Sequence, residues 1–227
     1  MIRISLLHPS FGRPQRAFEA YQEWKGLAKN RKEIEYLIGL DDTDPTIEEY
    51  RSMFSNRGEK FENEVFYIGS SRTIIQAINK LAILSSNCSE LLVFVADDIS
   101  PCPQWDIALL NVIKDKDKSQ PMYIYVTDHM MPYGTWGNNM IINRVFYNKF
   151  GYFLYPEYDG VCCDNDLYEV AKRLDAIIQV PEIVFEHKHY IRGMATMDST
   201  YLRHNNNEGR ARNGKIYASR VARNFDL

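Results

Sequence analysis

No apolar run in this chain approaches the ~18 residues that a membrane-spanning helix needs. The opening MIRISLLHPSFGRP also holds too short an apolar stretch for a signal peptide. A cytoplasmic protein is the expectation. Cysteine is scarce: Cys88, Cys102, Cys162 and Cys163 are the four present, none in CxxC spacing. An adjacent pair cannot easily share one tetrahedral metal, so reduced structural thiols are expected rather than a zinc site. An excess of one charge is missing as well. Lys and Arg number 27 against 30 Asp and Glu, a net charge of -3, which excludes bulk attraction to nucleic acid or membrane. No internal repeat or low-complexity tract is found. With 227 residues, 45% of them hydrophobic and 13% aromatic, the chain is long enough to build one large core, and residues 1–227 read as a single domain.

The most informative stretch present is LLVFVADDISPCPQWD, residues 91–106. Five consecutive large apolar residues bounded by turn signals suit a strand covered on both faces. Ligand sites of open α/β sheets lie beyond the carboxyl ends of such strands, which is where Asp97 and Asp98 fall. Carboxylate oxygens are the hard ligands that Mg²⁺ or Mn²⁺ prefers, and these ions are usually held by one or two carboxylates plus the phosphates of a substrate. The alternative is an Asp pair that merely caps a turn.

Around that stretch the hydrophobic period switches repeatedly. Strands are expected at 2–7, 34–40 and 65–68, with helices at 14–29 and 71–84, the second keeping Ile74, Ile75, Ile78, Leu81 and Ala82 on one face. This alternation predicts an α/β fold with a doubly wound, mostly parallel sheet. Residues 1–100 form its first half. Residues 101–190 are less regular: a helix at 105–113, strands at 122–126 and 140–142, a helix at 166–174, and short strands at 177–180 and 183–185 flanking Pro181. From Arg192 onward seven Lys or Arg face three acids, a net of +4, and the tail from Thr200, poor in large aliphatics, reads as loop-like or mobile.

Four consecutive strand ends are polar. His8, Pro9, Ser10 and Arg13 follow the first, Asp41, Asp42 and Asp44 the second, Ser70, Ser71 and Arg72 the third, and Asp97 and Asp98 the fourth. Parallel strands bring these ends to one edge, where acids that can hydrogen-bond a base or ribose and Arg groups that can meet phosphate converge. Asp44 or Thr46 can equally cap the next helix. The aromatic TDHMMPYGTWGNN, with Tyr133 and Trp136, and the tyrosines of YFLYPEY suit a sugar-binding wall or a hydrophobic seam.

The order RISLLHPSFGRP, IEYLIGLDDTDPT, FYIGSSRTIIQAIN and LLVFVADDISPCPQWD resembles the nucleotide-binding half of GT-A-type glycosyltransferases, particularly the family that includes bacterial polysaccharide and cellulose synthases. IINRVFYNKFGYFLYPEY resembles its acceptor-side segment, CDNDLYEVAKRL its acidic catalytic segment, and FEHKHY its late histidine-bearing strand. The resemblance covers about residues 2–190. It implies a metal-dependent transferase of a sugar from a nucleotide diphosphate sugar, UDP-linked, to a hydroxyl acceptor, with inversion. Asp41 or Asp42 would contact the uracil or ribose, Asp98 would bind Mn²⁺ or Mg²⁺ with Asp97 as its helper, and His187, or His189 in its stead, would complete the metal sphere. Ala96 stands where the family commonly has an acid, leaving ADD in place of a regular DXD. Asp164 would be the catalytic base, Pro9 lies beside the donor, and Arg13 and Arg72 are phosphate partners. Arg203, Arg210 and Arg212 could close as a lid. Three other readings compete: a nucleotidyltransferase, for which HPSFGRP is a poor phosphate cradle; an idle sugar- or nucleotide-binding module; and a transferase whose acceptor is nucleic acid held by the basic tail.

Overall fold

The computed structural model describes residues 1–56, 58, 60–129, 139–189, 193–194 and 207–227. Its first half is built as the period predicts. Strand β1 (Ile4–Ser10) leads to helix α1 (Pro14–Leu27), β2 (Ile34–Asp41), α2 (Ile47–Ser55), β3 (Asn63–Gly69), α3 (Ile74–Leu84) and β4 (Leu91–Phe94). Proline opens α1, where its missing N–H costs nothing, and Ala17, Ala20, Tyr21 and Trp24 form the buried stripe. Helix α3 begins three residues later than the apolar pattern suggests. Thr73 is its N-cap, its hydroxyl accepting from the Gln76 amide at 3.1 Å, which leaves Ser71 and Arg72 in the preceding loop. Gly39 on β2 lets α3 close down, because a Cβ there would meet Leu81 at 3.0–3.2 Å.

Strands β1, β2, β3 and β4 are mutually parallel, with β1 central between β2 and β4. The second half adds β5 (Ile99–Pro101), α4 (Trp105–Ile113), β6 (Tyr123–Thr127), β7 (Ile141–Asn143), α5 (Arg144–Phe150), α6 (Cys163–Arg173) and β8 (Ile177–His187). The sheet order is β3-β2-β1-β4-β7-β6-β8-β5. Among the described residues, only β7, lying antiparallel between β4 and β6, and β5, antiparallel to β8, break the parallel rule. This is the expected α/β, mostly parallel, doubly wound sheet.

Two expectations are corrected. The short strands at either side of Pro181 are one strand, β8, because the partner of β6 jumps from Val180 opposite Val126 to Val184 opposite Thr127. Proline sits in that bulge, where a missing donor breaks no ladder bond. The tail is not loop-like throughout: Asn207–Ala222 is a helix, α7. Its buried positions are Gly209, Asn213 and Arg220, a polar stripe that hydrophobic periodicity does not detect.

Arg220 anchors α7. Its guanidinium meets both carboxylate oxygens of Asp166 at 2.9 and 3.2 Å and stacks 4.0 Å from the Tyr155 ring. Ion-pair side chains here are 1% and 4% exposed, so removing one partner strands a buried charge. Arg220→Ala is expected to cost ~3–5 kcal/mol, read as a lowered midpoint in urea unfolding, with Asp166→Asn destabilising in the same direction.

Candidate active site

At the carboxyl edge of β1, β2 and β4 lies a cleft of about 300 Å³. Pro9, Arg13, Asp41, Arg72, Asp97, Asp98, Asp164, His187 and His189 all line it. Of the strand-end residues read from the sequence, His8, Asp42, Asp44 and Ser70 do not; Asp42 is half-exposed, and Arg72 pairs with both it and Asp41. Arg72 thus meets two carboxylates in this structure. Asp41 is buried. Burial alone would raise its carboxyl, but hydrogen bonds from the Thr43 hydroxyl and amide, at 2.6 and 2.8 Å, and the Arg72 charge hold it below the usual range.

Asp97 turns inward. It accepts from His8 Nε2 at 2.8 Å and from the Ser10 hydroxyl at 2.9 and 3.1 Å, with Arg13 at 3.9 Å. Because a carboxylate only accepts, Nε2 carries the proton, and Nδ1 faces the Tyr36 hydroxyl. Burial first and the Asp97 charge second push the Tyr36 and Tyr50 hydroxyls well above their usual range, so both remain donors. Tyr50 meets Ser10 at 2.8 Å. The polar residues inside the apolar RISLLHPS strand were the only sequence signal for this network, and Tyr36 and Tyr50 gave none.

Asp98 faces the other way. Its Oδ2 lies 3.4 Å from His187 Nε2. His189 joins them not by strand alternation but by a turn: its amide donates to the His187 carbonyl at 2.9 Å, and the two rings stand 5.0 Å apart, edge to face. Burial, then the neighbouring His187, hold His189 below the usual imidazole range, keeping a lone pair available near neutral pH. In the same cleft, at the start of α6, Asp164 is half-buried, and desolvation raises its carboxyl above the usual range. Phe11, Phe94, Met140 and Val161, which the sequence did not single out, supply apolar wall.

The fold compares with solved structures. S. aureus TarS matches with a TM-score of 0.61 at 11% identity, over 88% of this chain and 41% of that one. A TarS 1-349 structure in complex with UDP-GlcNAc gives 0.63 at 10% identity, over 81% and 57%. The chain has the GT-A glycosyltransferase fold. The mannosyltransferase PcManGT from Pyrobaculum calidifontis, in complex with GDP-Man and Mn²⁺, shares the fold at 0.62 and 15% identity, over 82% of this chain and 56% of that one. So does 4-diphosphocytidyl-2C-methyl-D-erythritolsynthase from Anaerococcus prevotii, at 0.52 and 13%, over 82% and 88%. The chain spans about half the length of these TarS and PcManGT chains. No protein-family model and no curated protein matches the sequence.

Other residues read from the sequence lie elsewhere. The YFLYPEY tyrosines do not line the cleft; Tyr152, Tyr155 and Tyr158 form a run of ring contacts 5.8–5.9 Å apart beneath Arg220. Tyr133, Trp136 and Arg203 fall outside the described residues. Arg210 and Arg212 lie on α7, and Arg212 pairs with Asp159 rather than reaching over the cleft.

Removing the Asp97 carboxylate leaves His8 and Ser10 with buried, unmatched donors. Asp97→Ala is expected to lower stability by ~1–3 kcal/mol, measured by chemical denaturation without any ligand.

Proposed function

We propose that the chain transfers a sugar from a nucleotide diphosphate donor, UDP-linked, to a hydroxyl acceptor, with inversion and with a divalent metal. The observation that carries this reading is that one cleft is lined by a carboxylate–imidazole pair, Asp98 with His187, by His189 beside them, and by a separate, half-buried carboxylate, Asp164. Two acids in contrasting environments are the arrangement that divides binding from proton transfer. The fold likeness to TarS and PcManGT, solved with UDP-GlcNAc and with GDP-Man and Mn²⁺, supports it.

The donor set fits Mn²⁺ or Mg²⁺ in one way. Among the described residues no three His, Cys, Asp or Glu are grouped to hold a metal by themselves. Asp98 and His187, with His189 beside them, instead suit an ion that draws its remaining ligands from substrate phosphates. Such an ion supplies positive charge against the negative charge that develops on a leaving diphosphate. Asp41, fixed by Thr43, accepts hydrogen bonds from the base or ribose of the donor. Arg13, nearly buried beside Asp97, brings a positive group to the diphosphate side. Asp164 accepts the proton of the acceptor hydroxyl as its oxygen attacks the sugar carbon opposite the diphosphate.

Nucleotidyl transfer is the second reading, since the erythritol synthase shares the fold. It needs a loop after β1 whose amides are free to cradle phosphate. Here the Gly12 amide donates to Asp44 at 2.6 Å and the Arg13 amide to the Tyr50 oxygen at 3.0 Å, so the loop is already spent. Measured turnover of a nucleotide sugar would set aside a non-catalytic binding module.

A thermal-shift screen of nucleotide sugars with and without Mn²⁺ tests the donor site. A UDP sugar at 100-fold its dissociation constant should stabilise the chain by ~2.7 kcal/mol, dependent on metal, and Asp98→Asn should abolish the metal-dependent part. No shift with any nucleotide diphosphate overturns the reading.

Asp164 gives a second test with a definite sign. A carboxyl raised on folding is destabilising when charged, so its favourable contribution exists only at low pH and is lost as pH rises through the raised value. Asp164→Asn should therefore abolish turnover yet raise the melting temperature at neutral pH, with donor binding retained. In the unaltered chain kcat should fall with acid at a higher pH than an ordinary carboxylate titrates, ~3.9. A product of retained anomeric configuration by NMR would remove the base from the scheme.

A further inference from the structure

Asp164 stands in the first turn of α6, and the chain that leads to it has no regular structure of its own. Between α5 and α6 it runs as turns and loop from Gly151 to Cys162, and Gly160 and Val161 of this loop line the cleft together with Cys163 and Asp164 of α6. Cys162 sits in this turn at φ 72°, a left-handed conformation that a non-glycine residue keeps only where its surroundings over-determine it. Three outside contacts do so. Asn79 on α3 accepts from the Phe153 and Leu154 amides, each at 2.9 Å, and donates to the Leu154 carbonyl at 2.7 Å. Arg220 on α7 and the Tyr158 hydroxyl, at 3.1 Å, hold Asp166 just after the turn.

The third contact is nearest the cleft. Asn213, 1% exposed on α7, accepts from the Asp159 amide at 3.1 Å and donates to the Asp159 carboxylate at 2.6 Å. Its amide also donates to the Gly209 carbonyl at 2.7 Å. Asparagine is a poor helix former, and burying its amide is unfavourable unless every bond is made. A helix held only by packing would place an apolar residue there. Asn213 instead grips, through backbone and side chain together, the residue immediately before the cleft-lining turn.

We propose that Asn213 is a positioning residue: it fixes Asp159, and through it the Gly160–Cys162 turn that leads into α6, so that helix α7 aims the carboxylate of Asp164. This rests on the reading of Asp164 as base. Misplacing a reacting group by about 1 Å can cost up to ~100-fold in rate, so Asn213→Ala should lower kcat by about tenfold while donor KM moves less than about twofold. Asp159→Ala removes the carboxylate half of this contact, together with the Arg212 pair, and should act in the same direction. The double variant should fall short of the sum of the two single effects, as coupled partners require.

A readout independent of turnover is built in, because Cys162 ends the turn and Cys163 opens α6, while Cys88 is exposed in the loop between α3 and β4. Alkylation of the native protein, followed by peptide mass spectrometry, should show Cys162 and Cys163 reacting about tenfold faster in either variant through local opening, with Cys88 unchanged. Unchanged labelling overturns the clamp. So does a lowered melting temperature with kcat intact, which would make Asn213 merely structural, and so do additive effects in the double variant. Should the unaltered chain turn over no donor, the base assignment falls and the labelling alone decides whether Asn213 holds the turn.

Discussion

A carboxylate withdrawn from water must be met by donors, and Asp97 is the place where this fold obeys that demand most strictly. It stands at the end of β4, and every donor it finds belongs to the end of β1: the His8 ring and the Ser10 hydroxyl. Tyr36 of β2 backs the histidine and Tyr50 of α2 backs the serine. Three parallel strands and one helix are thus tied together at the edge where the cleft opens. The direction of Asp98 follows from this. With its neighbour committed inward, and with Ile99 pinned by the Trp24 indole at 3.0 Å, the next carboxylate is delivered to His187.

The environments of the other two acids diverge for identifiable reasons. Asp41 is hidden but surrounded by hydrogen-bond donors and an arginine, which favours its charged form. Asp164 accepts from the Asn165 amide at 3.0 Å, but desolvation outweighs this and favours its neutral form. One site thus contains two carboxyls whose surroundings push them in opposite directions.

Much of this was legible in the sequence because apolar periodicity reports which faces are buried. The four parallel strands, the bounds of α4 and the convergence of strand-end polar residues all follow from it. What periodicity cannot report is polar burial. The inward turn of Asp97, the role of Tyr36 and Tyr50, and the whole of α7, whose hidden stripe is Gly209, Asn213 and Arg220, depend on hydrogen-bond partners distant in sequence. The tyrosines of YFLYPEY were misplaced for the same reason: aromatic residues suit a sugar-binding wall or a seam equally well, and only Arg220, beyond residue 200, decides for the seam. His187 and His189 converge as expected, though through a turn rather than through strand alternation.

The bulge in β8 has a consequence of pure counting. Val126 and Thr127 are consecutive on β6, while their partners on β8, Val180 and Val184, are separated by Pro181, Glu182 and Ile183. An odd number of inserted residues inverts the alternation of everything downstream. Phe185 is thereby sent into the core and His187 into the cleft, and a strand of uniform pleat would have exchanged them with Glu186 and Lys188. What the bulge imposes, beyond the burial of Ile183 in the core, is the parity of its length: an insertion or deletion of a single residue there would swap imidazole for ammonium at the cleft without touching any residue that lines it.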